Sequence, residues 1–354
     1  MKKIIIYDAS TSYMLMVAWI TAAFSRSEYT NILFLNTVLF ENPFLLRQRI
    51  LETSVFNDVI LVNDRPGIQA DSLIETICKP DDIAYYHFAS YGSHYAISLF
   101  HYCEDRSIPI ILNEEGGATY LLYESYAAFY EKFSQYHLNF IDLENIFEIW
   151  VFNKSLYQSQ APHKVKEIEL WKHLTSHSDI ASFTAQLNHV FNYTHCSLKI
   201  DTIFFTQNFY AYGGISVEEQ LKFYEKIAAH FNNDIVFKIH PSESFSTYAN
   251  TCLKIVNYPS SVPWEVILLN IHIHGALDHM TFVSVLSTAI FSQQIFFHKN
   301  PPLSKSISLY HLSPDAIQKI VGKNRFKQFV SLAKTFNHFH APKTNQELFD
   351  ILRI

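Results

Sequence analysis

Two adjacent carboxylates, Glu114 and Glu115, stand between an apolar run at 108–112 and two glycines, Gly116 and Gly117. A helical pattern follows at once from Ala118 through Leu121, Leu122, Ser125, Tyr126 and Phe129. A carboxylate in such a turn can take the proton from a hydroxyl nucleophile, which contributes about 10²–10⁴ in rate. The glycines allow positive φ and close approach of a ligand. The chain has 8 glycines in 354 residues, so two together single this turn out. An ordinary solvated turn between strand and helix is the competing reading.

Three more loops combine polar residue types in useful ways. They read KIHPSE at 238–243, PSSVPWE at 259–265 and SVLSTA at 284–289. A histidine such as His240, fixed by the following Pro241, can donate a hydrogen bond to a phosphate or leaving-group oxygen. Ser287 and Thr288 at a helix start offer hydroxyls, backbone N–H groups and the positive end of a helix dipole to an anion. A bare His-Pro turn and an ordinary Ser-Thr N-cap are the plainer counterparts.

These loops need elements to position them. Strands are predicted at 3–8, 31–36, 59–63, 83–88 and 108–112, with helices at 13–24, 43–53, 71–78, 94–104 and after 118. Repeated strand–helix units of this size imply a parallel sheet covered on both faces. Glu114 and Glu115 then fall at the carboxyl edge of that sheet, where open α/β folds bind ligands. Residues 145–152 read as one more strand, and 158–188 as a polar, helical connection between domains. A second series follows, with strands at 202–206, 234–239, 281–285 and 294–298. Its helices are placed at 217–231, with Ser216 and Glu219 as a capping box, at 263–269, and from Ser287 and Thr288 onward. The domains expected are 1–195, 196–335 and a terminal helix at 336–354 that packs back on the first domain.

Composition narrows the classes. Hydrophobic residues make up 49% and charged residues 17%, which suits large cores and argues against disorder. A net charge of −6 gives no support to nucleic-acid binding. Cys78, Cys103, Cys196 and Cys252 form no C-x-x-C and read as reduced core residues of a cytosolic protein. Asp8 interrupts the apolar run after Lys2 and Lys3, so 4–7 reads as a first strand rather than a signal peptide. No stretch has the length of a transmembrane helix.

The acidic-acidic-glycine loop, Lys238-Ile239-His240-Pro241, Pro263-Trp264-Glu265 and Ser287-Thr288 occur in the order found in bacterial sialyltransferases of the GT-B type. The set most resembles glycosyltransferase family 52, the lipooligosaccharide sialyltransferases, and Phe205-Thr206-Gln207 resembles the segment at the first strand of that family's second domain. The resemblance extends roughly over residues 1–330. It implies two Rossmann-like domains facing a central cleft, with parallel sheets. It implies a donor, CMP-sialic acid, no cofactor and no metal, and as acceptor a glycan or glycolipid ending in a sugar such as galactose. Glu115, next to Gly116, would be the general base, with Glu114 the other candidate. His240 would meet the CMP phosphate and help it leave. Ser284, Ser287 and Thr288 belong to the element that would hold that phosphate, Glu265 would bond the ribose, and Gln207 and Asn208 would lie near the donor sugar. Lys238 and Pro241 complete the donor loop.

Location follows as an expectation: the cytoplasm, with peripheral contact at the inner membrane face, no nucleic-acid partner, and a homodimer allowed for. Two departures bear on the acceptor and the donor sugar. The loop reads Glu-Glu-Gly where a second Asp is usual, and Asn208-Phe209 replaces a common Pro. Another nonulosonate, a nucleotide hexose, or silent nucleotide or glycan binding stay open as alternatives.

Two other groupings have plain readings. His272 and His274 would share a strand face near Asp278 and His279, yet their spacing fits no common zinc pattern. Lys323, Arg325, Lys327 and Lys334 mix with Phe326, Phe329, Phe336 and Phe339, either as a membrane-surface patch or as a solvated helix packed on the first domain.

Overall fold

The computed structural model describes residues 2–38, 40–89, 92–116, 119–120, 146–157, 164–195, 201–256 and 258–353. The chain divides into two compact units, Met1–Thr194 and His195–Ile354.

In the first unit, seven strands form one sheet in the order β3-β2-β1-β4-β5-β6-β7. They are β1 (Ile4–Ala9), β2 (Thr30–Asn36), β3 (Asp58–Val62), β4 (Ile83–Phe88), β5 (Ile110–Asn113), β6 (Ile146–Val151) and β7 (Val165–Glu167). Every neighbouring pair is parallel. The strand order reverses between β1 and β4, which is the switch point at which doubly wound sheets open a crevice. The helix Ser12–Ser25, entered through Thr11 as N-cap, is buried along Leu15–Ala22. A helix apolar on all sides belongs inside a core, and Trp19 anchors it through an Nε1–H donated to Thr53 Oγ1 at 3.1 Å.

The polar stretch expected to join the domains is instead part of this unit. It supplies edge strand β7, paired with β6, and the helix His177–Phe191. Phe183, Leu187, Val190 and Phe191 lie on the buried side of that helix. Their spacing makes a core stripe that the intervening Ser, His and Asn residues obscure in the sequence. Phe183 meets Trp19 edge-on at 5.4 Å, and Arg49 Nε donates to the Val190 carbonyl at 2.9 Å.

The second unit has a five-stranded sheet in the order β12-β11-β10-β8-β9, again all parallel. Its strands are β8 (Thr202–Phe205), β9 (Val236–Lys238), β10 (Thr281–Ser284), β11 (Lys305–Ser308) and β12 (Phe339–His340). Here the switch point lies between β8 and β10. The helix Val217–His230 starts with the capping box predicted for it, Ser216 N–H donating to Glu219 Oε2 at 2.7 Å and Glu219 N–H to Ser216 Oγ at 3.2 Å.

Four expectations are corrected in this unit. Residues 294–298 are not a strand, because Ser292–Phe296 is helical and the strand is the serine-rich β11. Its hydroxyls are satisfied internally, Ser306 Oγ donating to the Ile290 carbonyl at 2.6 Å and Ser308 Oγ to Val285 at 2.7 Å. His272 and His274 do not share a strand face, since the helix Trp264–Ile273 runs through the first and is capped by the second. The segment 336–354 is built into the second unit: β12 pairs with β11, and Leu348 of the helix Asn345–Arg353 sits in its core. The basic-aromatic stretch turns its rings inward rather than to a membrane. Phe329 is fully buried against Phe291, and Phe326 stacks on Tyr310 at 3.9 Å. Among the described residues no helix is long and apolar enough to cross a membrane, and Cys78, Cys103 and Cys252 are free. Cys196, Gly117, Ala118 and the helix expected beyond Tyr120 lie outside the described residues.

Candidate active site

In the first unit, β5 ends at Asn113 and delivers Glu114 and Glu115 to the carboxyl edge of the sheet. The two neighbours are treated oppositely. Glu114 is fully buried, with Oε1 accepting from Tyr13 Oη–H at 2.7 Å. Its Oε2 accepts the Phe152 N–H at 2.8 Å and the Tyr120 hydroxyl. Burial and the adjacent carboxylate push Tyr120 well above the ordinary phenol range, so it stays protonated and donates. Glu115 is half-buried, and its carboxyl has no hydrogen bond to any described residue. Only its backbone is tied, with N–H donating to Thr119 Oγ1 at 2.9 Å. Desolvation without compensating donors pushes its carboxyl up to about 7. Gly116 follows with φ +109°, a conformation that L side chains rarely adopt, and a β-carbon added there would meet the Tyr13 ring at 3.8 Å.

In the second unit, the exits of β8, β9 and β10 are laced together. Gln207, after β8, accepts the Leu286 N–H at 2.8 Å through Oε1, crossing the switch point to the loop after β10. Asn208 donates from Nδ2 to Ser242 O and Oγ, both at 3.1 Å. His240 Nδ1 accepts the Ser242 N–H at 3.2 Å and lies 2.8 Å from Ser242 Oγ, so the neutral ring carries its proton on Nε2. Desolvation, assisted by Lys238 and opposed by Glu243, lowers the His240 pKa and favours that neutral ring. Pro241 follows it in an exposed loop.

Lys238 ends β9 with its ammonium pulled down to about 8 by burial, an effect the Glu265 carboxylate partly offsets. Glu265 is buried in the first turn of its helix. Burial raises its pKa against the Ser292 hydrogen bond and the Lys238 charge. Ser284 Oγ accepts the Ser287 N–H at 2.6 Å, and Ser287 caps the turn Thr288–Phe291. The structure therefore brings Gln207, Asn208, Lys238, His240, Pro241, Glu265, Ser284, Ser287 and Thr288 to one sheet edge. Glu114, Glu115 and Gly116 sit together on the other unit. The second set combines a cation, a ring N–H and hydroxyls, which suits a phosphate. The first offers a carboxyl poised near neutrality.

The family model for alpha-2,8-polysialyltransferases matches residues 4–301, well over half of the chain. The chain belongs to the alpha-2,8-polysialyltransferase family. That membership carries the sialyltransferase class expected from the motif order, without reaching the narrower resemblance to glycosyltransferase family 52. No curated protein matches by sequence.

Solved structures match this polysialyltransferase-family chain over its whole length. One is a Listeria monocytogenes protein assigned as a UDP-N-acetylglucosamine 2-epimerase, with TM-score 0.53, 9% identity, and 100% of this chain against 89% of that one. The UDP-GlcNAc 2-epimerase of Methanocaldococcus jannaschii matches with TM-score 0.52, 10% identity and 100% and 92% coverage. The Neisseria meningitidis enzyme bound to UDP-GlcNAc gives 0.51, 10%, 100% and 91%. At such identities the likeness shows the fold alone, two Rossmann-like α/β units of the GT-B kind.

Glu243 is the site residue that reading by motif passes over in this family member. It looks like the polar end of a turn, and its sequence signal is only its place three residues after His240. Tyr13, which occupies Glu114 together with Tyr120, has no signal at all, since nothing local relates it to a residue 101 positions on.

Proposed function

We propose that this chain transfers sialic acid from CMP-sialic acid to a terminal sugar, galactose foremost, of a bacterial surface glycan such as lipooligosaccharide. The observation that carries this reading is the contrast between Glu114 and Glu115. Among the described residues one carboxylate accepts from Tyr13, Tyr120 and the Phe152 N–H, and the other accepts from none and is raised to about 7. A general base works best when its pKa lies near the operating pH. Glu115 takes the proton from the acceptor hydroxyl as that oxygen attacks the anomeric carbon of the donor, and CMP departs from the opposite side. A single displacement inverts the anomeric configuration.

On the donor side, His240 donates its Nε2–H to the departing phosphate, and Ser287 and Thr288 hold the same group. Lys238 supplies a cation from a desolvated position, where charge stabilisation is strongest. With one phosphate on the donor, these groups offset the developing charge, so the reaction is written without a metal. Glu265 receives the ribose hydroxyls, and Gln207 and Asn208 line the sugar. The protein acts in the cytoplasm at the inner membrane face.

The donor assignment is tested by thermal-shift titration with CMP, UMP and UDP, followed by nucleotide release from CMP-sialic acid and UDP-GlcNAc. CMP should stabilise the protein most, and CMP-sialic acid alone should turn over. Preference for the uridine nucleotides would move the reading to a nucleotide-hexose donor. CMP binding without any turnover would make the chain a silent nucleotide binder.

A further inference from the structure

Glu243 lies in the donor loop yet takes no part in the chemistry assigned above. We infer that Glu243 is the positioning residue of the phosphate site, holding the exits of β8 and β9 in the register that lets His240 meet the donor. The inference rests on reading the His240 loop as the place of the nucleotide phosphate.

All the accepting capacity of this buried carboxylate is taken up. Oε2 accepts from the Thr206 hydroxyl and from the His240 N–H, the latter at 3.1 Å. Oε1 accepts from Gln220 Nε2 at 2.9 Å and from the Tyr248 hydroxyl at 2.6 Å. The four donors come from four elements: the exit of β8, the exit of β9, the helix Val217–His230 and the turn Phe245–Tyr248. A buried carboxylate with four donors is an acceptor that no neutral side chain copies. Glutamine of the same size would aim an NH₂ group at two of the donors and leave them unpaired.

The bonds act directly on His240. Its N–H is shared between Thr206 Oγ1, at 2.8 Å, and Glu243 Oε2. Thr206 also opens the segment Gln207-Asn208, and Asn208 Nδ2 fixes the Ser242 hydroxyl that lies against His240 Nδ1. One carboxylate thus sets the backbone that carries the imidazole and, through Thr206, the residues that orient its ring. Charged acceptors bond more strongly than neutral ones, so this loop is held more firmly than an exposed His-Pro turn.

A carboxylate that merely holds the core together would produce a different pattern of losses. The test compares dissociation constants for CMP and for cytidine, which lacks the phosphate. It uses the full chain as wild type, Glu243→Gln, His240→Ala and the double variant. Glu243→Gln should weaken CMP at least tenfold and leave cytidine within twofold. The double variant should bind CMP no more weakly than His240→Ala alone, because both act through one contact. Equal losses for CMP and cytidine, or losses that multiply in the double variant, would overturn the inference. If Glu243→Gln fails to fold, Thr206→Val removes the hydroxyl bridging Glu243 to His240, and the same selective loss of CMP is required of it. Wild-type protein that binds CMP well above cytidine while Glu243→Gln leaves both unchanged overturns this inference alone, whereas wild-type protein that binds the two equally overturns the phosphate-site reading with it. Wild-type protein that binds neither overturns the donor reading as well.

Discussion

Glu114 and Glu115 differ by one position in sequence and by almost everything in environment. Replacing Glu115 by Gln should lower kcat by about 10²–10⁴ while CMP affinity holds. The wild-type rate should rise tenfold per pH step below about 7 and then level off, because the base must be ionised. The same residue makes a stability prediction of definite sign. Its folded pKa is raised from the ordinary carboxylate value of 4.5 to about 7, so folding favours the protonated acid. That stabilisation is complete below 4.5 and lost as pH rises through 7. Glu115→Gln should therefore stabilise the protein at pH 8, by about 1–3 kcal/mol after allowance for partial exposure, and do nothing at pH 4. Melting curves at the two pH values measure it, and a stabilisation confined to acid pH would contradict it. Gly116→Ala should cost about 1–2 kcal/mol, since its φ of +109° suits no L side chain. The glutamates and glycine were legible in the sequence as a set. Which glutamate is left for the acceptor was not, because two of the partners that occupy Glu114, Tyr13 and the Phe152 N–H, lie far from it in sequence.

At the level of elements, the alternation of strand and helix revealed both parallel sheets, and the capping box of Ser216 and Glu219 marked its helix start. The failures have different causes, and the first is polar residues inside a core whose hydrogen bonds are tertiary. Strand β11 reads Lys-Ser-Ile-Ser, so its central place depends on carbonyls supplied by 285 and 290. The apolar Ile295-Phe296-Phe297 looks like part of a buried strand but lies in and just after a buried helix, an ambiguity that periodicity cannot resolve over so short a run. In the helix His177–Phe191 the polar residues conceal the stripe that binds it to the first unit. Leu187→Ala there should destabilise by about 2–5 kcal/mol, the cost of a core cavity. Chemical denaturation of the full chain tests this, and a loss below about 0.5 kcal/mol would return the segment to the role of a linker.

Over the whole molecule, acidic residues clearly outnumber basic ones in the first unit, whereas basic residues slightly outnumber acidic ones in the second. The division suits an anionic donor on the second unit. It disfavours an acceptor that already carries a carboxylate beside Glu115, even though the family is named for such chains. A neutral disaccharide acceptor should show kcat/KM at least tenfold above a sialylated one, and the gap should narrow as salt is raised. Equal use of both acceptors at low salt would contradict this. The most direct measurement of the central claim is transfer from CMP-sialic acid to lactose by the purified chain in EDTA, with the product's anomeric configuration read by NMR. Acceptor-dependent release of CMP, an inverted product, and collapse of turnover in both Glu115→Ala and His240→Ala are the expected results. A retained configuration, or full activity in Glu115→Ala, would show that the base and the single displacement have been wrongly assigned.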